Sequence, residues 1–529
     1  METIFSKKNI VNAISVVLLL CIVIITFHRV LYADFVMWDD DIIIYGNKNL
    51  GGLTLQRLYW VFTDVNSMMR YNPLALLSWV VTYHFWGLNP FSYHLGNLLL
   101  HVVSATTLFF IILQIISQIN DKAKVKHQSY QVLQIISFIC ALIWAIHPLR
   151  VEPVAWATDR TYCLATCFIF VSFLFYVLSN GIETTINNKR KYILLSIIFY
   201  LLSLLSYAIG MTYFIVLLIV DVFLYEKITR GDSITDIFKN FLFEKIVFAV
   251  PAILIAAISI KVVTSGAGVW APSVPLSEFG LFARISQAMH VVTYYLYRPF
   301  LPINLSPVYT TLVQFNPLSM PFVISSSVVI IGFGLLIIHW REYPFLSSFF
   351  LCHVVLLIPV MGFFEYPHYT VDRYSILTSA CFSIFLGIAL LPINKKQNRQ
   401  ILLVIFSCIL ILLGELSYTQ TKVWANSETL FNHMIKALGD DPYREDILLR
   451  LGKYQSKVGK IEESVNTMRK ALTINPYSVQ GNEYLGELSI QRKDYEQALA
   501  CYSRLTEMFP DNFKYNYQRN KALNALGAR

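Results

Sequence analysis

Apolar stretches of about 17–25 residues, each long enough to cross a bilayer, recur along this chain up to residue 418. In lipid only a helix satisfies all its own backbone N–H and C=O groups within one segment. Eleven spans are expected, near 10–32, 92–118, 131–146, 161–179, 191–206, 208–225, 243–263, 321–340, 345–364, 374–393 and 400–418. The first is too long for a signal-peptide core, lacks a small-x-small cleavage site and leads into more spans, so an uncleaved anchor is expected. Composition agrees: 56% of residues are hydrophobic and the mean hydropathy is +0.55, against about 45–50% apolar residues in soluble chains.

The net charge of +9 matters through its placement. From Trp424 onward there are 15 Lys/Arg and 13 Asp/Glu, so the tail is nearly neutral. The excess lies in short loops: Lys7 and Lys8; Lys122, Lys124 and Lys126; Lys189, Arg190 and Lys191; Lys227, Arg230, Lys239 and Lys245; Lys395, Lys396 and Arg399. That pattern speaks for membrane topology and against a nucleic-acid partner. All these loops share one side only if 284–301 does not fully cross. Its sequence, ARISQAMHVVTYYLYRPF, carries Arg284, Gln287, His290 and Arg298, which suits an interfacial or re-entrant helix. A cytoplasmic N-terminus and an odd number of spans then place the tail outside, with long outer segments at 33–90, 147–160 and 266–317. The eight cysteines show neither a disulfide framework nor zinc spacing. Gly-rich phosphate loops, Ser-His-Asp arrangements and HExxH are missing, which removes soluble NTPase, hydrolase and zinc-protease readings.

The tail repeats with a period of 34 residues. Aligned on Pro476 and Pro510, Leu451-Gly452 matches Leu485-Gly486, Ser464 matches Ala498, and Met468 matches Tyr502. Small residues at a helix crossing, an apolar or aromatic partner and a terminal Pro form the tetratricopeptide signature. Two full units, 445–478 and 479–512, follow a half unit at 427–442 and precede a final helix at 513–529. Stacked helix pairs of this kind leave a concave groove suited to polypeptide. The expected fold is all-α: a polytopic membrane helical bundle over 1–423, with about eleven spans plus the interfacial or re-entrant helix, and a tetratricopeptide-repeat α-solenoid over 424–529.

Four groups of residues can carry chemistry. Asp39-Asp40-Asp41, in FVMWDDDIIIYGNKNL, follows the first span, where a carboxylate at the interface suits a general base. A cation site or a solvated acidic loop is the alternative there, since Asp34 makes the whole region acidic. The second outer segment, HPLRVEPVAWATDR, offers Glu152 as a further acid or cation ligand, with His147 and Asp41 as companion candidates. Its Arg150 and Arg160 suit a phosphate, or else cap helices and meet headgroups. In YPHYTVDRYS, Arg373 sits where a lipid phosphate would, or is neutralised by Asp372. His94, Asn97 and His101 share one face of the second span, where interhelical hydrogen bonding competes with a ligand role.

Taken together, FVMWDDDIIIYGNKNL, YNPLALLSW at 71–79, GLNPFSYHLGNLLLH at 87–101, HPLRVEPVA at 147–155, DRYSILTS at 372–379 and the repeats resemble the transmembrane and tetratricopeptide-repeat-containing O-mannosyltransferases and their bacterial relatives. That family belongs to the membrane-integral, polyprenyl-phosphate-dependent glycosyltransferases of C type. The resemblance implies a catalytic acidic pair at Asp39 and Asp40, and it also takes in His147, Glu152, Arg160 and Arg373. Two departures stand out. Tyr71-Asn72-Pro73 replaces a Tyr-Arg-Pro pattern, moving the basic contact to Arg70, and Ser206-Tyr207-Ala208 replaces a Ser-Lys pattern.

What the resemblance implies is a single inverting displacement. Asp39 or Asp40 would take the proton of an acceptor hydroxyl, and Arg70, Arg160, Arg298 and Arg373 would steady the departing phosphate. The implied donor is a polyprenyl-phosphate-linked sugar, mannose or another hexose, and the acceptor a polypeptide in the repeat groove. No cofactor is firmly implied, and a divalent cation stays open. The expected setting is a bacterial inner membrane, with the endoplasmic reticulum as the alternative. Rival readings are an envelope-glycan acceptor and a catalytically silent repeat scaffold. A transporter would need symmetric loops and internal repeats of the membrane part, which the chain does not show.

Overall fold

All eleven expected segments fold as helices: Lys7–Phe27, Pro90–Lys122, Tyr130–Ala145, Arg160–Ser179, Ile186–Ser206, Tyr213–Phe223, Phe243–Thr264, Met320–His339, Pro344–Leu357, Ser375–Leu390 and Lys396–Gln420. The structure, a computed structural model, describes residues 7–527 except 66, 69, 123–127, 182–183, 228–242, 265–273, 314, 364–367 and 394. Lys124, Lys126, Arg230, Lys239, Tyr366 and Pro367 of the predicted loops and motifs, and all of 266–273, lie outside the described residues.

The protein is an integral membrane protein, but the count of eleven spans is not reached by length and composition. Among the described residues, seven helical stretches are long and apolar enough to cross, or eight if Tyr130–Ala145 and Pro148–Ala155, bent by 58°, form one span. The bend falls where Pro148 withdraws a backbone donor and disfavours helix in the residue before it. Ala208–Phe223 and Pro344–Val360 are apolar but short. Ile186–Ser206 opens on Lys189, Arg190 and Lys191.

Leu281–Tyr297 is a helix but not one of those seven. Its polar groups turn inward: Arg284 Nε donates to Phe279 O at 2.8 Å, Gln287 Nε2 to Gly362 O at 2.9 Å, and His290 Nδ1 meets Ser325 Oγ at 3.0 Å. Its apolar face packs Val291, Val292 and Tyr295 against Leu312, Phe322 and Leu357. Two further helices, Leu55–Thr63 and Pro73–Trp86, stand in the segment read from sequence as an outer loop. Thr54 caps the first by accepting from Arg57 N–H at 3.2 Å, and Pro73 opens the second, with its φ already set for helix.

The chain divides into two compact units. One holds residues 1–33, 39–305 and 311–422; the other holds 423–529 together with two short excursions, 34–38 and 306–310. In the second unit the 34-residue period is visible as packing. A Cβ on Gly452 would stand 2.7 Å from Met468 Cε, and one on Gly486 2.9 Å from Tyr502 Cε2, so both pairs matched by sequence are direct contacts. Asn482 Nδ2 donates to Pro476 O at 2.8 Å, and Asn516 Nδ2 to Pro510 O at 2.6 Å, an equivalence the sequence alignment did not use. Leu448, Leu449, Val465, Met468, Ala471, Leu485 and Cys501 close the repeat core. The excursion 34–38 is held there by Asp34 N–H to Ala425 O and Met37 N–H to Ser427 Oγ, both 2.9 Å, with Arg450 lying 4.8 Å over the Trp38 ring.

Candidate active site

The acidic run does not present three equivalent carboxylates. Asp39 takes φ 73° and ψ −23°, the left-handed region, and its carbonyl accepts from Ile42 and Ile43 to start the short helix Asp40–Ile43. For a residue with a Cβ that conformation costs about 1–2 kcal/mol. Asp40 is fully buried, and its Oδ1 accepts from Thr158 N–H at 3.0 Å and from Thr158 Oγ1–H at 2.6 Å. Those bonds offset the desolvation of a buried carboxylate. Asp39 and Asp41 stay partly exposed.

HPLRVEPVAWATDR and VDRYS, separate in sequence, meet. Buried Glu152 accepts from Arg373 N–H at 2.9 Å through Oε2 and pairs with the Arg373 guanidinium through Oε1. Asp159 Oδ1 lies 3.6 Å from Arg373 Nε. The guanidinium is also faced by the rings of Trp156, Tyr162 and Tyr374, at 5.0, 5.7 and 5.5 Å. Asp159 in turn feels the charges of Glu152, Asp39 and Asp40, which places the acidic loop and this cluster in one electrostatic neighbourhood. Arg150, fully buried, donates to Ser375 and Ser379 and so grips the helix that follows Arg373.

Other predicted residues build the frame. Arg160 is buried: Nε donates to Asn97 Oδ1 at 3.1 Å, Nη1 to Thr82 Oγ1 at 2.7 Å and Nη2 to Tyr93 O at 2.6 Å. Asn97 Nδ2 donates to Trp156 O at 2.8 Å, and His101 Nε2 meets Ala145 O at 2.8 Å. The polar stripe thus links helices, and His94 is buried with it. His147 uses both ring nitrogens, Nε2 with Pro299 O at 2.8 Å and Nδ1 accepting from Leu149 N–H at 3.2 Å. With Glu152 engaged on Arg373 as well, these side chains do not fit a divalent cation. Among the described residues no group of three or more His, Cys, Asp or Glu is arranged to hold one. Arg298 donates to Asn304 O at 3.4 Å and lies over Tyr294.

Arg70 stands apart from these in facing a cavity of about 270 Å³, whose wall includes Tyr207, Met211, Ile260, Phe363, His368 and Tyr374. Arg70 lies 5.5 Å over the Tyr207 ring. The Tyr207 and Tyr162 rings lie 4.5 Å apart, tilted by 40°, with the two hydroxyls 3.2 Å apart, and Tyr162 reaches Arg373. One chain of aromatic contacts therefore joins the cavity to the acidic cluster. Sequence reasoning missed Thr158, Asp159, Tyr162 and Tyr207 as members of this site. Asp159 and Thr158 lay inside a motif already singled out, and Tyr207 inside a noted departure; nothing local marked Tyr162.

The sequence model of the tetratricopeptide repeat matches residues 445–478. The mouse protein O-mannosyl-transferase TMTC3 is 29% identical over 187 residues, 34% of this chain and 18% of that protein. The human protein O-mannosyl-transferase TMTC2 is 32% identical over 158 residues, 28% of this chain and 17% of that protein. For the Xenopus laevis protein O-mannosyl-transferase tmtc2 the figures are 28% over 224 residues, 41% and 25%. The chain spans a quarter or less of the length of these relatives. The crystal structure of ArnT from Cupriavidus metallidurans bound to undecaprenyl phosphate aligns over 91% of this chain and 78% of that one, at 12% identity and a TM-score of 0.37, a likeness too low to bear on fold or chemistry. Over about a third of its length, this chain resembles the tetratricopeptide-repeat O-mannosyl-transferases, and it carries the repeat itself.

Proposed function

We propose that this chain is a membrane glycosyltransferase that moves a hexose, mannose first among them, from a polyprenyl-phosphate carrier to a hydroxyl of a polypeptide acceptor. The observation that carries the reading is the cavity in which one guanidinium, Arg70, meets a wall of Ile, Met, Val, Phe and Tyr, joined through Tyr207 and Tyr162 to the carboxylate cluster. A soluble nucleotide sugar needs several polar contacts for its base and diphosphate. An isoprenoid phosphate needs one anion site and an apolar wall.

In the proposed reaction Asp39 accepts the proton of the acceptor hydroxyl. That oxygen bonds to the anomeric carbon as the bond from that carbon to the phosphate oxygen breaks, with inversion. The carrier departs as a phosphate monoester carrying one more negative charge, which Arg70 stabilises. Asp40 acts as the anchor of the loop, and Glu152, Asp159, Arg160, Arg298 and Arg373 hold the shape and charge balance around it. No metal ion enters these steps. The groove of the repeats presents the polypeptide, on the outer face of a bacterial inner membrane, raising its local concentration.

The test is transfer from synthetic polyprenyl-phosphate-mannose to membrane and soluble proteins, by membranes carrying the chain or its Asp39→Asn variant. Loss of at least about 100-fold in the variant, at equal expression, is expected for removal of a general base. Equal labelling by both would remove Asp39 from the chemistry. No labelling by either, across several sugars, would end the transferase reading.

A further inference from the structure

The short turn Ala157–Asp159 touches both halves of the candidate site with consecutive residues. Thr158 gives its hydroxyl and its N–H to one oxygen of Asp40, at 2.6 and 3.0 Å, and Asp159 comes within 3.6 Å of Arg373. Asp40 has 0% exposure, and this pair of hydrogen bonds holds a charged side chain of the acidic loop inward. Its neighbour Asp39 is left partly exposed and in a left-handed backbone conformation. Strain of that kind persists only where the surroundings over-determine it.

We infer that Thr158 is a positioning residue: by tying down Asp40 it sets the direction in which Asp39 presents its carboxylate. The inference deepens the proposed transfer reaction and rests on it for its kinetic consequence, while the geometric claim stands on its own. The hydroxyl is the part that matters, since the Thr158 N–H survives any substitution other than proline. Thr158→Val keeps the shape and removes one of the two donors. Thr158→Ser keeps the donor and loses only a methyl group. A base displaced by about 1 Å costs about 100-fold in rate, so a partial release costs less.

Two measurements on the full chain in membranes decide it. In the transfer assay with polyprenyl-phosphate-mannose, Thr158→Val should lower kcat at least about 10-fold with donor KM within about 2-fold, and Thr158→Ser should stay within about 3-fold of wild type. Wild-type kcat for the Val variant, or an equal fall for Ser and Val, overturns the inference. Independently of activity, Asp39→Cys is labelled with a membrane-impermeant thiol reagent, and the signal of the parent chain is subtracted. Adding Thr158→Val should change the labelling rate severalfold and adding Thr158→Ser should not; an unchanged rate with Val overturns the inference. If the wild-type chain transfers no sugar, the proposed function falls and the labelling rates still decide the role of Thr158.

Discussion

Glu152 holds Arg373 twice, by its backbone N–H at 2.9 Å and by its guanidinium, in a place where Glu152 is 3% exposed. Breaking a buried pair by removing one partner leaves an uncompensated charge, which costs about 3–5 kcal/mol. Glu152→Ala should therefore destabilise the membrane unit by roughly that amount, and Glu152→Gln, which keeps an acceptor, by less. Thermal inactivation of the detergent-solubilised chain, read as loss of monodisperse protein, ranks the two. If Glu152→Gln is as stable as wild type, the ion pair is not a stabilising element.

Asp39 and Asp40 should separate by phenotype. Asp40→Asn removes the charge that two Thr158 donors hold in a buried site, so it should lower stability by about 1–3 kcal/mol together with activity. Asp39→Asn should leave stability within about 0.5 kcal/mol, as changes at partly exposed positions usually do, while abolishing transfer. Melting and transfer measured on the same two preparations check this. A stable, active Asp39→Asn chain would put the base elsewhere.

Arg70 is the cation that faces the cavity, and its effect should fall on the donor. Arg70→Ala should raise donor KM by about 10- to 100-fold, the loss of one charge-assisted contact worth about 1.5–3 kcal/mol. Arg70→Lys should recover part of it. Tyr207→Leu should mimic a milder Arg70 defect, because the ring lies beneath the guanidinium at 5.5 Å and such contacts contribute about 0.5–2 kcal/mol. Steady-state kinetics over donor concentration distinguish these outcomes from a general loss of kcat.

In the repeat unit, two equivalent glycines should differ. An added Cβ at Gly452 meets the flexible end of Met468, whereas at Gly486 it meets the rigid Tyr502 ring at 2.9 Å. Gly486→Ala should destabilise the unit by about 1–3 kcal/mol, the usual range for overpacking, and Gly452→Ala by less. Proteolysis of the full chain in increasing urea, followed through a C-terminal epitope, gives the order.

Orientation has its own test. Lys457→Cys, on an exposed residue of the repeat unit, should react with a membrane-impermeant maleimide added to intact cells whose outer envelope is permeabilised. Protection until the inner membrane is broken would reverse the topology drawn from the basic loops.

Two parts of this protein were legible in its sequence because they are periodic and local. Eleven apolar segments became eleven helices, since a backbone in lipid has to satisfy its own hydrogen bonds. The 34-residue repeat became glycine-to-side-chain packing at the residues the alignment had paired, Gly452 with Met468 and Gly486 with Tyr502. The span count was less legible: a bend at Pro148, and charges at the head of Ile186–Ser206, depend on how long each helix runs as well as on how apolar it is.

The site was legible as a set of charged residues and not as an arrangement. Nothing in FVMWDDDIIIYGNKNL says that Asp40 turns inward and Asp39 stays partly exposed; that follows from Thr158, 118 positions away. Arg373, Arg160 and Arg70 look alike in one dimension. Tertiary packing set the first between Glu152 and Asp159, the second among Asn97, Thr82 and Tyr93, and the third against a cavity. Sequence determines which charges are present, because composition and local periodicity are properties of the chain. Which charges pair with one another, and which line a cavity, is decided only when helices distant in sequence are brought within hydrogen-bonding distance.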